Sequence, residues 1–307
     1  MKVLIGVDGS NGSHAAVQFA GRLLVAEKDQ VSLFYTPPSL SIVPGSLPDP
    51  QLVKRLEGFL CDAVFAEAKH RLPASLADHA RLVVGTQSAA HGMLVAADEY
   101  RANLIVMGAR GAGRMKDLDI GGTARAVVHQ ATVPVLVVRP ATEEARSHPL
   151  RVLLASDGSG SSENACELLQ HFSWPLDTAA RVLTVVESPV VGHIPAWLEE
   201  QLLQHETGAL GLGYFEHQKE QYGRAREDVM RGYDQLPPMF RETEPLVTVG
   251  HACEEIVKAI GSEHIDLVIV GARGLGRVKR LLLGSTSEYL LAHAKCSVLI
   301  ARQHEKP

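Results

Sequence analysis

A chain of 307 residues is long for a single hydrophobic core and suits two domains of about 150 residues each. Its 46% hydrophobic content with only 5% aromatics favours α/β packing on Val, Leu, Ile and Ala, and it speaks against disorder. Thirty basic against thirty-five acidic side chains leave a formal net charge of −5, so no long-range field draws the chain to nucleic acid or to an anionic membrane.

The opening run Val3-Leu4-Ile5-Gly6-Val7 reads as a strand buried on both faces. It stops at Asp8-Gly9-Ser10, which marks a first strand rather than a signal peptide. Ser10 or Ser13 can cap a helix carrying Ala16, Phe19, Ala20, Leu23 and Leu24 on one face. A second strand, Val31 to Tyr35, runs into a Pro-rich stretch from Pro37 to Pro50. From Gln51 to Leu72 the apolar positions Leu52, Leu56, Phe59, Ala63 and Ala66 recur at helical spacing. Val83-Val84 makes a third strand, Met93 to Tyr100 a covering helix and Leu104 to Met107 a fourth strand. A glycine loop, a helix from about Thr123 to His129 and a fifth strand from Val133 to Val138 complete the unit. Such alternation implies parallel strands, right-handed crossovers and helices on both faces of a sheet.

The polar, Pro-terminated run 141–149 reads as a linker between a first domain, 1–140, and a second, 150–307. After it the pattern restarts. Arg151 to Ser159 parallels Lys2 to Ser10, with Asp157 at the position of Asp8, and Arg181 to Val186, Leu246 to Val249, Leu267 to Val270 and Ser297 to Ala301 repeat strands two to five. The two aspartates lie 149 residues apart and the glycine loops 163, so the second copy carries extra chain, most of it between Ser188 and Pro245. There Trp197 to Leu203 reads as a short helix, and Phe215, Gln218, Tyr222, Ala225, Val229 and Tyr233 mark one face of a longer one. Repetition of whole βα modules in fixed order indicates a duplicated domain.

Neither cysteine nor histidine spacing suggests a metal centre. Cys61, Cys166, Cys253 and Cys296 are scattered without a CxxC pair, and the fourteen histidines form no HExxH. The cysteines read as buried thiols in a reducing compartment, so a cytoplasmic protein is expected. The longest apolar runs are strand-length and fall short of the ~20 residues of a membrane span.

The informative stretch is Leu267 to Ser287, in which a strand-like run reaches Gly271, a Gly-rich loop follows, and Gly284-Ser285-Thr286 opens a helical segment. Glycines let backbone approach a phosphate, and a helix N-terminus presents unpaired N–H groups with partial positive charge. Arg273, Arg277, Lys279 and Arg280 add charge, with no acid between Gly271 and Ser287. Open α/β sheets bind ligands beyond the carboxyl ends of their strands where strand order reverses, which would bring Asp157 and this loop to one crevice. An acid there can hydrogen-bond a ribose hydroxyl or help hold magnesium on phosphates. Alternatively, Asp157 only shapes an Asp-Gly turn before the helix.

Neither GxxxxGK[ST] nor a GxGxxG after the first strand is present; the spacing is G-x2-G-x9-G-S, from Gly271, Gly274, Gly284 and Ser285. In this motif, with Asp157 and the duplicated βα order, the chain resembles the universal stress protein family across both modules. The resemblance implies two doubly wound, five-stranded parallel-sheet domains of Rossmann-like, adenine nucleotide alpha hydrolase-like type, packed as an intramolecular pseudo-dimer through their fifth strands. It implies ATP, or AMP or ADP, as ligand: Asp157 on the ribose or a magnesium ion, main chain near Val186 on the adenine, and Gly271, Arg273, Gly274, Gly284, Ser285 and Thr286 around the phosphates. In the first module Asp8, Gly108, Gly111, Gly121 and Thr123 stand in the matching places, but Gly122 replaces the hydroxyl residue and Asp117 and Asp119 enter the loop. A weaker or empty first site is therefore expected. No nucleophile–base pair stands out, so no catalytic residue is assigned. The implied role is a nucleotide-dependent stress-response switch or adaptor that reads out to a protein partner, within one chain or a homodimer. An adaptor without nucleotide, and a slow ATPase or nucleotidyl transferase using the same crevice, are the rival readings.

Overall fold

The computed structural model describes residues 1–38, 50–112, 120–141, 148–157, 160–187, 208–272 and 283–302. The first module runs β1 (Lys2–Gly6), α1 (Asn11–Leu23), β2 (Gln30–Tyr35), α2 (Pro50–His70), α3 (Ala74–Ala77), β3 (Arg81–Val84), α4 (Ala89–Glu99), β4 (Leu104–Gly108), α5 (Gly122–Gln130) and β5 (Val135–Val138). The second runs β6 (Arg151–Ala155), α6 (Gly160–His171), β7 (Ala179–Glu187), α7 (Gly208–Tyr233), a 3₁₀ turn (Pro238–Arg241), β8 (Leu246–Gly250), α8 (Ala252–Ser262), β9 (Leu267–Gly271), α9 (Ser285–His293) and β10 (Ser297–Ala301).

Among the described residues these strands form one ten-stranded sheet in the order β3-β2-β1-β4-β5-β10-β9-β6-β7-β8. Each half is parallel, and the single antiparallel junction joins β5 to β10, with Leu299 opposite Leu136. The two expected five-stranded sheets thus meet edge to edge at the fifth strands. The order 3-2-1-4-5 is reflected in the second half, so each module has its reversal of strand order between its first and fourth strands.

The continuous apolar runs follow from burial on both faces. Val3 and Ile5 of β1 point into one apolar layer with α1 and α2, while Leu4 points into the opposite layer with residues of α4 and α5. Both layers continue through β5 and β10 into the second module. The start of α1 is fixed locally: Ser10 adopts an extended conformation and its hydroxyl accepts the Ser13 N–H at 3.2 Å.

The junction is also braced from the sides by a matched pair of arginines. Arg139, just past β5, donates to the Leu291 carbonyl in the last turn of α9 at 2.7 Å, and Arg302, just past β10, donates to the Val128 carbonyl in the last turn of α5 at 2.5 Å. Each guanidinium therefore satisfies a helix-end carbonyl of the other module, where the negative end of the helix dipole favours a cation. Where α5 and α9 meet, His129 Nε2 lies 2.9 Å from the Glu288 carboxylate.

One helix turns the other way from the reading that periodicity suggests. The stripe Leu52, Leu56, Phe59, Ala63 and Ala66 of α2 faces solvent. The face that packs on the sheet is Leu60, Cys61, Val64, Phe65 and Ala68. In α7 the expected face is buried at Val229 and Tyr233 but exposed at Tyr222; the Tyr233 hydroxyl donates to the Thr243 carbonyl. The short helix expected at 197–203 lies outside the described residues. α3 and the 3₁₀ turn, each only one turn long, carry no periodic signal.

Candidate functional site

The two crevices are built by the same local rules. In the first module β1 and β4 are direct parallel neighbours, Val3 opposite Leu104 and Ile5 opposite Val106, so the chain leaving each arrives at one crevice. A cavity of about 300 Å³ opens there. Asp8, Gly108, Gly111, Gly121 and Thr123 all line it, with Phe34, Tyr35 and Met93 supplying apolar wall. Burial holds the Tyr35 phenol above its usual range, with smaller contributions from Cys61 and Asp8, so it stays neutral beside the cavity.

Asp8 is already engaged. One carboxylate oxygen accepts the Ser10 amide at 3.0 Å and the Ser10 hydroxyl at 2.5 Å; the other accepts the Ala112 amide of the glycine loop at 3.0 Å. The turn role and the site role therefore belong to one side chain, which shapes the start of α1 and tethers the loop. Two glycines are demanded by close approach. A Cβ on Gly12 would lie 2.1 Å from the Arg110 carbonyl oxygen, and one on Gly111 would lie 2.4 Å from an Asp8 carboxylate oxygen. Gly12 was not a site candidate in the sequence, because its requirement comes from a chain segment nearly a hundred residues away.

The helix that should receive an anion begins identically in both modules. Gly121 and Gly284 are the N-caps of α5 and α9, at φ −65°, ψ 151° and φ −69°, ψ 153°, and neither helix has a side-chain cap. Each glycine donates its own N–H back to the loop, Gly121 to Ala109 at 2.8 Å and Gly284 to Ala272 at 2.8 Å. Without a capping side chain, the first-turn amides are left for solvent or an anionic ligand.

In the second module β6 pairs with β9, Val152 opposite Leu267 through Ala155 opposite Val270, which brings Asp157 and Gly271 to the same end of the sheet. Val186 lies buried in β7, opposite Val249 of the edge strand. Gly284, Ser285 and Thr286 form the start of α9, Ser285 exposed and Thr286 half-buried. The Thr286 side chain is hydrogen-bonded with the Cys253 thiol, whose pKa burial raises. Ser287 is a further contributor that sequence reasoning missed: its hydroxyl donates to the Gly271 carbonyl at 2.7 Å and ties α9 to the end of β9. Ala124 stands at the matching place in the first module and has no such tie. Arg273 and Gly274 lie outside the described residues, as do Asp117 and Asp119.

Among the described residues there is no group of three or more His, Cys, Asp or Glu that could hold a metal by themselves. All four cysteines are free, and burial pushes the Cys296 thiol up to about 12, which fits an inert core group. Among the described residues no helix is long and apolar enough to cross a membrane.

The duplicated crevice can now be set beside known proteins. The model of the universal stress protein family matches residues 1–139 and again 150–302. The chain belongs to the universal stress protein family. Two separate matches in one chain make it a tandem member. A universal stress protein of Mycolicibacterium smegmatis is 26% identical over 98% of this chain and 96% of its own length. One from Thermus aquaticus is 30% identical and matches 49% of this chain with 97% of itself, the size relation of one module to two. The crystal structure of a universal stress protein from Archaeoglobus fulgidus superposes with a TM-score of 0.60 at 17% identity, covering 99% of this chain and 98% of that one, which establishes the shared Rossmann-like fold.

Proposed function

We propose that this tandem universal stress protein binds an adenine nucleotide, ATP above all, in its second module and acts as a nucleotide-dependent stress-response switch or adaptor. The observation that carries the reading is the uncapped start of α9 at Gly284, set at the same end of the sheet as Asp157 and Gly271. Three properties favour the second module. Ser285 offers a hydroxyl where the first module has Gly122, its loop 273–282 is basic without acids, and Ser287 anchors the helix to β9. In the first module the loop carries Asp117 and Asp119.

Asp157 would accept a ribose hydroxyl or supply one carboxylate to a magnesium ion. Magnesium commonly binds through one or two carboxylates plus substrate phosphates and water, a role Asp157 can fill. The nucleotide would order the glycine loop against α9. Because Arg139 of the first module grips the far end of α9, a shift of that helix would be felt across the seam, on a surface available to a protein partner in the cytoplasm.

The test replaces each N-cap glycine separately. Gly284→Leu should abolish high-affinity ATP binding by calorimetry while Gly121→Leu leaves it, and equal loss in both variants would contradict the assignment. Steady-state turnover measured on the same preparations separates a switch from a slow ATPase.

A further inference from the structure

The apolar stripe of α2 that faces away from the core is itself patterned. Leu52, Leu56, Phe59, Ala63 and Ala66 succeed one another at alternating spacings of four and three residues, the repeat of a coiled-coil seam. Leu52, Leu56 and Phe59 are 50, 44 and 69% exposed. The opposite face of the same helix, Leu60, Val64, Phe65 and Ala68, already satisfies the module's core. Among the described residues the stripe therefore contributes nothing to the packing of the core. Contiguous exposed apolar surface of this kind marks an interaction site.

The second module lacks the stripe. Aligned at their core-facing residues Phe65 and Val229, α7 has Gly223 where α2 has Phe59, Glu220 in place of Leu56 and Glu227 in place of Ala63. Its matching face is thus broken by charge.

We propose that α2 is a self-association surface, on which a second copy of this chain docks its own α2 in antiparallel orientation. The charges beside the stripe select that occupant. If Leu56 packs against Phe59 of the other copy, and Leu52 against Ala63, the flanking positions bring Arg55 opposite Asp62 twice, related by the two-fold axis. A parallel arrangement instead sets Asp62 against Glu67 of the second copy, a repulsive contact. Both Arg55 and Asp62 are exposed and free to make the cross-helix pair. The surface is a single helix face, so the dimer is a weak one at the low end of interface size. It joins two chains at their first modules and is separate from the seam between β5 and β10.

Sedimentation velocity on the full-length chain across the micromolar range tests this. The unmodified protein should show a monomer–dimer equilibrium, and Phe59→Glu should remove it with an unchanged circular dichroism spectrum and melting curve, because the side chain is not part of the core. Arg55→Glu and Asp62→Arg should each weaken the dimer at least tenfold, while the double variant Arg55→Glu/Asp62→Arg restores it. A protein monomeric at every concentration would overturn the proposal, as would a dimer indifferent to Phe59→Glu. A double variant as weak as the single ones would overturn the antiparallel register.

Discussion

The two modules share a skeleton and differ in chemistry. Gly121 and Gly284 start their helices at backbone angles within a few degrees of each other, and both return their N–H to the second residue of the loop. Behind that common geometry the residues diverge: Ala124 against Ser287, Gly122 against Ser285, and acids against a basic loop. Duplication has preserved what builds an uncapped helix start, while the residues around it have drifted apart. Where the modules must hold each other the symmetry is kept, since Arg139 and Arg302 make the same bond to opposite helices.

The sharpest break in the comparison is at the aspartates. A hydrogen bond to a charged group contributes about 1.5–3 kcal/mol, so Asp157→Ala should weaken ATP binding by roughly ten- to a hundredfold in calorimetric titration. Asp8→Ala should leave that affinity within about twofold. Its effect should fall on stability instead, because the Ser10 and Ala112 amides lose their acceptor, and a loss of about 1 kcal/mol would lower Tm by about 3 °C. If Asp8→Ala were the variant that lost ATP, the modules would have been assigned the wrong way round.

At the seam the expected effects are smaller and nearly equal. Arg139→Ala and Arg302→Ala each remove a charged donor from a helix end, at a cost of about 2 kcal/mol in chemical denaturation. Arg302 is the more buried of the two and should cost the more. A seam variant that left stability untouched would show that the strand pairing of β5 with β10 suffices alone. The smallest effect expected is a gain. Gly122→Ser gives the first module the hydroxyl that Ser285 supplies in the second, worth about 1 kcal/mol, and should tighten weak first-site binding by about fivefold as read by a fluorescent ATP analogue.

Much of the fold was legible because parallel strands buried on both faces write themselves as unbroken runs such as Val3 to Ile5 and Leu267 to Val270. Part of the glycine motif was legible because close approach excludes a side chain, as at Gly108 and Gly111. Periodicity was less informative for α2: it located a helix and an apolar face, but it does not say whether that face meets the sheet or another molecule. Partners distant in sequence were not legible at all. Nothing near Gly12 announces the Arg110 carbonyl, and nothing near Ser287 announces that of Gly271. The bonds of Arg139 and Arg302 likewise exist only once the halves have joined.

The inequality of the two sites is tested most directly by counting nucleotides on the unmodified full-length chain, by native mass spectrometry during a titration with ATP. One tightly held ATP per chain is predicted, lost in Gly284→Leu and kept in Gly121→Leu. Two nucleotides filling together with equal affinity, or a single one that survives Gly284→Leu, would contradict the account.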